Sequence, residues 1–150
     1  SFANAVSATS QVGYVSDLIV GQPHAMFWTG TAASAVDLHP VGFDYSFARD
    51  ANDFAQVGLG AVTGGALHAL LWSGTAASAV DLHSYVTMLD PTALSSVAVS
   101  INANGDIAGY AANATHTYAV LWRLVPEPGS GALFVVGTIV TAFVNRRRTR

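Results

Sequence analysis

The chain has no cysteine and no lysine, and charged residues make up only 10% of its 150 positions. Without cysteine there is no disulfide, no thiolate nucleophile and no cysteine-based zinc site, and the redox compartment stays open. Without lysine, positive charge rests on six arginines, of which Arg146, Arg147, Arg148 and Arg150 crowd the last five residues. From Ser1 to Val125, eight aspartates face only Arg49 and Arg123, a net charge of −6. So acidic a body offers no basic face to phosphates, which argues against a nucleic-acid partner. Catalytic signatures are missing too: no Gly-x-Ser-x-Gly elbow, P-loop, His-Glu-x-x-His or dinucleotide fingerprint occurs. The reading is non-enzymatic, with no catalytic residue, cofactor or metal ligand assigned. Residue 1 is serine, with no charged segment and apolar run ahead of the first repeat. The expectation is that the chain is the C-terminal part of a longer protein.

What the chain has is repetition. Gly-Thr-Ala-Ala-Ser-Ala-Val-Asp-Leu-His stands at Gly30 to His39 and again, unchanged, at Gly74 to His83, an offset of 44 residues. Identity of that length identifies a repeat array, which must be settled before single residues are interpreted. Upstream lie His24-Ala-Met-Phe-Trp28, His68-Ala-Leu-Leu-Trp72 and a third version, Tyr118-Ala-Val-Leu-Trp122. Further upstream, Ser1 to Ser7 aligns with Ser46 to Asn52 and Ser96 to Asn102, and each is followed by Gln11-Val-Gly13, Gln56-Val-Gly58 or Ile107-Ala-Gly109. The units therefore span 1–45, 46–95 and 96–124. The third stops after its Trp, where Arg123-Leu-Val-Pro-Glu-Pro replaces the Asp-Leu-His segment.

At 51% hydrophobic the chain is too apolar for disorder, and its length suits one domain. Within the first unit, Ser1 to Ser7 and Gln11 to Val15 read as a hairpin, and Asp17 to Pro23 as a loop. His24 to Trp28 reads as a strand buried on both sides, and Ala35 to His39 as a short fourth strand after the turn at Thr29-Gly-Thr31. Asn104-Gly105 is the corresponding hairpin turn of the third unit. The second unit has a longer exit, Ser84 to Ser95, with Asp90-Pro91 inside it, which predicts an inserted loop or one helical turn. Four short strands in about 45 residues match a propeller blade. The fold class expected is all-β: three antiparallel, propeller-blade-like repeats. Because propellers close with about four to eight blades, the set is expected to be incomplete, with an exposed edge strand. A three-repeat sandwich or barrel, or an oligomer that completes the ring, are the alternatives.

Several polar residues invite two readings. His24 and His68 are candidate metal ligands, but both sit mid-strand in a copied unit and Tyr118 replaces them in the third, which favours structural hydrogen bonding. Asp37 with His39, and Asp81 with His83, have a spacing that puts both side chains on one strand face, as a divalent metal would require. Their copying with the repeat favours a turn or cap. Asn102-Ala-Asn-Gly-Asp106 lacks the ligand spacing of a calcium loop and reads as a hairpin turn. Asn113-Ala-Thr115 fits a glycosylation sequon, a frequent accidental match.

The pattern of a small-residue strand, a Val-Gly strand, His-Ala-x-x-Trp and then Asp-Leu resembles the HAF repeats of extracellular proteins over most of Ser1 to Trp122. Met26 and Leu70 take the place of the family's Phe, and His39 and His83 stand where Gly is usual. That resemblance implies an exported β-repeat protein and adds location more than mechanism.

The tail reads in three parts. Pro126-Glu127-Pro128 sits in a Pro/Gly linker at 125–131, where proline forces an extended, accessible backbone. Ala132 to Val144 carries no charge, and Arg146, Arg147 and Arg148 follow it. Counted from Gly129 the apolar run has 16 residues, roughly 24 Å as a helix against a hydrocarbon core of about 30 Å. Snorkelling arginines and local thinning span the difference. A transmembrane helix with a basic tail is expected over 132–150, with the arginines cytoplasmic and the acidic body across the membrane. The order of parts closely resembles a PEP-CTERM sorting signal, recognised at the inner membrane by exosortase. By that resemblance Pro126, Glu127 and Pro128 are the sorting motif and Arg146, Arg147 and Arg148 the stop-transfer cluster. The expected partners are an exosortase-type processing enzyme, the membrane by way of the C-terminal helix, and exopolysaccharide. The function expected is that of an exported, non-enzymatic protein of the cell surface or matrix. A glycan hydrolase or lyase on a propeller face, and an uncut C-terminally anchored protein, are the alternatives.

Overall fold

Each repeat folds as an antiparallel meander whose strands are hydrogen-bonded in chain order. The computed structural model describes residues 1–16, 21–125 and 137–138. The first sheet runs β1 (Phe2–Val6), β2 (Gln11–Val15), β3 (His24–Trp28) and β4 (Val36–Asp37). The second runs β5 (Phe43–Ala51), β6 (Gln56–Val62), β7 (Leu67–Trp72) and β8 (Val80–Asp81). The third has β9 (Ser95–Ile101), β10 (Ile107–Ala112) and β11 (Thr117–Trp122) and, among the described residues, no fourth strand. Beyond it, β12 (Leu124–Val125) pairs with β13 (Gly137–Thr138).

The three first strands share an irregularity that the sequence alignment explains. Asn4, Arg49 and Val99 each drop out of the pairing, a one-residue bulge at the same place in every unit. Opposite it stands the repeated glycine of the second strand. A Cβ on Gly13 would lie 1.8 Å from the Phe2 carbonyl oxygen, and on Gly58 or Gly109 it would lie 2.0 Å from the Phe47 or Val97 oxygen. Only glycine lets the bulged backbone approach so closely. The bulge also resets the strand's alternation. Ser46, Ala48 and Ala51 are all buried, although strict alternation would send Ala51 to the opposite face.

Sheets stack face to face through these first strands, β5 lying across β1, β2 and β3, and β9 across β5, β6 and β7. Between the first two sheets, Val12, Ala25 and Leu38 meet Ala48, Ala51, Leu70 and Trp72. Between the second and third, Val57, Ala69 and Leu82 meet Ala98, Ile101, Val120 and Trp122. The two cores are copies: small residues on the strands let the sheets approach, and one Trp per junction fills the gap. Truncating such a buried Trp to Ala costs about 3–5 kcal/mol.

The protein is all-β in the sense expected, with departures. Among the described residues the sheets form an open array and no propeller closes, since the third sheet ends at its third strand. The fourth strands are shorter than expected because the copied segment first makes a 3-10 turn, Ala32–Ser34 or Ala76–Ser78, and leaves only two strand residues. β3 is not covered on both sides: of its five residues only Ala25 is buried, because among the described residues no sheet lies against the face carrying Met26 and Trp28. The second unit's exit is a helix, α1 (His83–Leu89), whose Val86 enters the second core.

The transmembrane helix expected over 132–150 lies, but for two residues, outside the described residues. Among the described residues no helix is long and apolar enough to cross a membrane. Of that segment only Gly137 and Thr138 are described, and they form a strand, consistent with the β-branched Val135, Val136, Thr138, Ile139 and Val140 around them. The sorting motif Pro126, Glu127 and Pro128 and the cluster Arg146, Arg147 and Arg148 lie outside the described residues.

Candidate functional site

The residues that make the repeat recognisable converge at the junctions between repeats. At the end of β4, the Asp37 carboxylate folds back over the chain and its Oδ1 accepts the His39 N–H at 2.8 Å, an Asx turn. The other oxygen, Oδ2, lies 2.8 Å from His24 Nδ1 at the start of β3. Turning the chain there lays the His39 ring on the His24 ring, centroids 4.0 Å apart. His39 Nδ1 then reaches Ser46 Oγ on the next repeat at 2.9 Å. That oxygen also accepts the Ala25 N–H at 3.0 Å. Ser46 Oγ thus holds a backbone N–H and an imidazole of the preceding repeat at once.

The second junction repeats this contact for contact. Asp81 Oδ1 accepts the His83 N–H at 2.9 Å, and Oδ2 lies 2.7 Å from His68 Nδ1. His68 and His83 stack at 4.2 Å. His83 Nδ1 lies 3.0 Å from Ser96 Oγ, which accepts the Ala69 N–H at 3.0 Å. Each clasp thus takes an aspartate and two histidines from one repeat and a serine from the next. Both second histidines are held below their ordinary 6.5, first by burial and then by the histidine stacked on them, against the raising effect of the aspartate.

Asp, His and Ser in contact suggest a nucleophile and its base. The geometry gives them another role. Ser46 and Ser96 are 0% exposed, and each hydroxyl oxygen is occupied by a backbone N–H and an imidazole. No substrate reaches them. Nor do the expected pairs share a strand face as metal ligands would, since the strand ends at the aspartate, which turns over its own backbone. Among the described residues no three His, Asp or Glu side chains gather as a metal-binding group.

The rest of the copied segment is accounted for in the same way. Gln11 Oε1 accepts the Gly30 N–H at 2.9 Å and Gln56 Oε1 the Gly74 N–H at 2.8 Å. Ser34 Oγ accepts the Thr29 N–H at 2.8 Å and donates to the Thr31 carbonyl at 2.6 Å, and Ser78 does the same with Ser73 and Thr75. Trp122 Nε1 donates to the Leu82 carbonyl at 3.3 Å across the second junction. The buried Trp72 Nε1 has no such partner across the first.

The third unit improvises. Tyr118, in the histidine position, donates its hydroxyl to Asp90 Oδ2 at 2.8 Å, and Asn113 Nδ2 donates to the same oxygen at 3.0 Å. Hydrogen bonds from Thr92 first, then Tyr118 and Asn113, hold the Asp90 carboxyl down at about 2. Burial and then Asp90 push the Tyr118 hydroxyl up to about 12. In the loop suspected of resembling a calcium site, Asn102 Oδ1 accepts two backbone N–H groups, and the Asp106 carboxylate pairs with Arg123 Nε at 2.7 Å. It is a hairpin turn. Ser46, Ser96, Gln11, Gln56 and Asp90 are the residues whose roles the sequence reading missed. Recurrence at one repeat position was the available signal for all but Asp90.

Set against family models, curated proteins and solved structures, the chain matches none.

Proposed function

We propose that this chain is an exported, non-enzymatic β-repeat protein of the cell surface or extracellular matrix, its sheets acting as propeller-type blades that hold binding surfaces in a fixed order. One observation carries the non-enzymatic part: the repeated Asp, His and Ser side chains bind one another across two junctions. Asp50, which accepts from Ser100 Oγ at 2.7 Å and the Ile101 N–H at 2.9 Å, and Asp106, paired with Arg123, serve other contacts of the same kind. A glycan hydrolase would need such carboxylates converging on a cleft. Exopolysaccharide is the proposed ligand class for the exposed surface.

The export part rests on the order of Pro126-Glu127-Pro128, the uncharged Ala132 to Val144 and Arg146 to Arg148. By this reading an exosortase-type enzyme cuts near the prolines after the apolar segment has engaged the membrane. The test is the intact mass of the protein recovered from cells with and without an exosortase. A C-terminus near Pro126 to Pro128 only when the enzyme is present supports sorting and release. A chain still ending at Arg150 in both makes it a retained, tail-anchored protein.

A further inference from the structure

The two junctions define what a receiving face looks like, and the first repeat has one on which no other described residue packs as a junction partner. On the second and third repeats this face consists of five positions. They are Ser46, Ala48, Ala51, Leu70 and Trp72 on one, and Ser96, Ala98, Ile101, Val120 and Trp122 on the other, none more than 8% exposed. The first repeat carries Ser1, Ala3, Val6, Met26 and Trp28 at the same positions. There Ser1 and Ala3 are exposed, Val6 is 72% exposed, and Met26 and Trp28 are only part-buried. Its backbone has the same shape, with the bulge at Asn4 set against Gly13. Beside Trp28 lies an open groove of about 260 Å³ lined by Ser1, Ala3, Gln11 and Ala32 among others.

We infer that this face is a docking surface for a further β-repeat ending in Asp-Leu-His, whose second histidine would bond Ser1 and whose leucine would pack on Trp28. The chemistry of the occupant follows from the two filled junctions. In both, the serine takes an imidazole Nδ1, and the leucine of Asp-Leu-His is fully buried in the core that the Trp closes. A second copy of this chain does not supply that chemistry. Its two Asp-Leu-His segments are already engaged with Ser46 and Ser96, and its third repeat has Arg123-Leu124-Val125 instead. The occupant is therefore a different repeat with a free exit segment. The inference does not depend on the export reading, since it uses only the geometry of the junctions.

The test supplies such a repeat. Residues 1–45 are duplicated ahead of Ser1 in the full chain, with Trp28→Phe in the added copy. Trp28 of the original repeat is then the reporter, Trp72 and Trp122 being already buried. The expected result is a shift of its emission to shorter wavelength, with slowed amide exchange over residues 2–6. Leu38→Gln with His39→Gln in the added copy should abolish both. Val6→Asp is the second variant: it should leave the melting temperature of the unextended chain unchanged and remove the shift in the extended one. Unchanged Trp28 emission beside a protected added repeat overturns the inference, and so does an added repeat that stays unprotected. A shift that grows with concentration of the unextended chain also overturns it, because the face would then belong to a second copy.

Discussion

His39 lies flat on His24, ring centroids 4.0 Å apart and planes 11° from parallel, while its Nδ1 meets Ser46 of the next repeat. Neither ring can move without disturbing the junction, so protonation there is a stability event. Burial and the stacked neighbour hold both His39 and His83 below 6.5 in the folded chain. The unfolded chain therefore binds more protons once the pH falls through that value. Stability is complete above 6.5 and declines as pH drops below it toward the folded values. Urea midpoints measured between about pH 8 and about pH 5 should show this decline, and His39→Gln combined with His83→Gln should flatten it. An equally steep slope in the double variant would place the titration elsewhere.

Ser46→Ala removes the acceptor of a buried N–H and the partner of an imidazole at once. The loss expected is about 1–3 kcal/mol in equilibrium unfolding, with Ser96→Ala similar. Ser1→Ala, the same substitution in the repeat whose face is uncovered, should stay within about 0.5 kcal/mol of the parent. Equal effects at all three positions would mean that the serines act within their own sheets.

Gly58→Ala puts a methyl group where the Phe47 carbonyl already stands, 2.0 Å away. Backbone, unlike a side-chain tip, has no rotamer to move to. The expected loss is about 1–3 kcal/mol or more, with shifted amide resonances over 47–50. Gly109→Ala should behave likewise against Val97. A Gly58→Ala chain as stable as the parent would show that the bulge yields easily.

Tyr118 should ionise near 12 in an ultraviolet titration. Tyr118→Phe should delete that phase. Asp90→Asn should lower it only part of the way toward 10, because burial, the largest single cause, remains. A full return to 10 would show that the carboxylate, and not burial, raises it.

The units and most of their strands were legible in the sequence, because alternation of side chains and turn residues are local and the repeat aligned them three times. The bulge was not. A one-residue slip leaves composition unchanged, and the recurrent Gly13, Gly58 and Gly109 looked like ordinary strand glycines until the opposing carbonyls were in place. The clasp was half legible: copying pointed His24, His68, Asp37 and Asp81 toward structural work, but their serine partners passed as unit markers. His39 and Ser46 are 7 residues apart and His83 and Ser96 are 13 apart, the difference being the helix inserted in the second exit. Unequal spacing conceals one contact made twice. Tyr118 and Asp90 were hidden for the opposite reason, since they answer a departure from the repeat.

Each clasp is divided between neighbours, three parts on one unit and the fourth on the next. A gene segment encoding one unit therefore carries a complete set of instructions for joining others like it: a serine to present behind and an Asp-Leu-His to offer ahead. Duplicating that segment lengthens the protein without any new interface having to evolve. The ten unchanged residues from Gly30 to His39 and Gly74 to His83 are the trace such a copying event leaves.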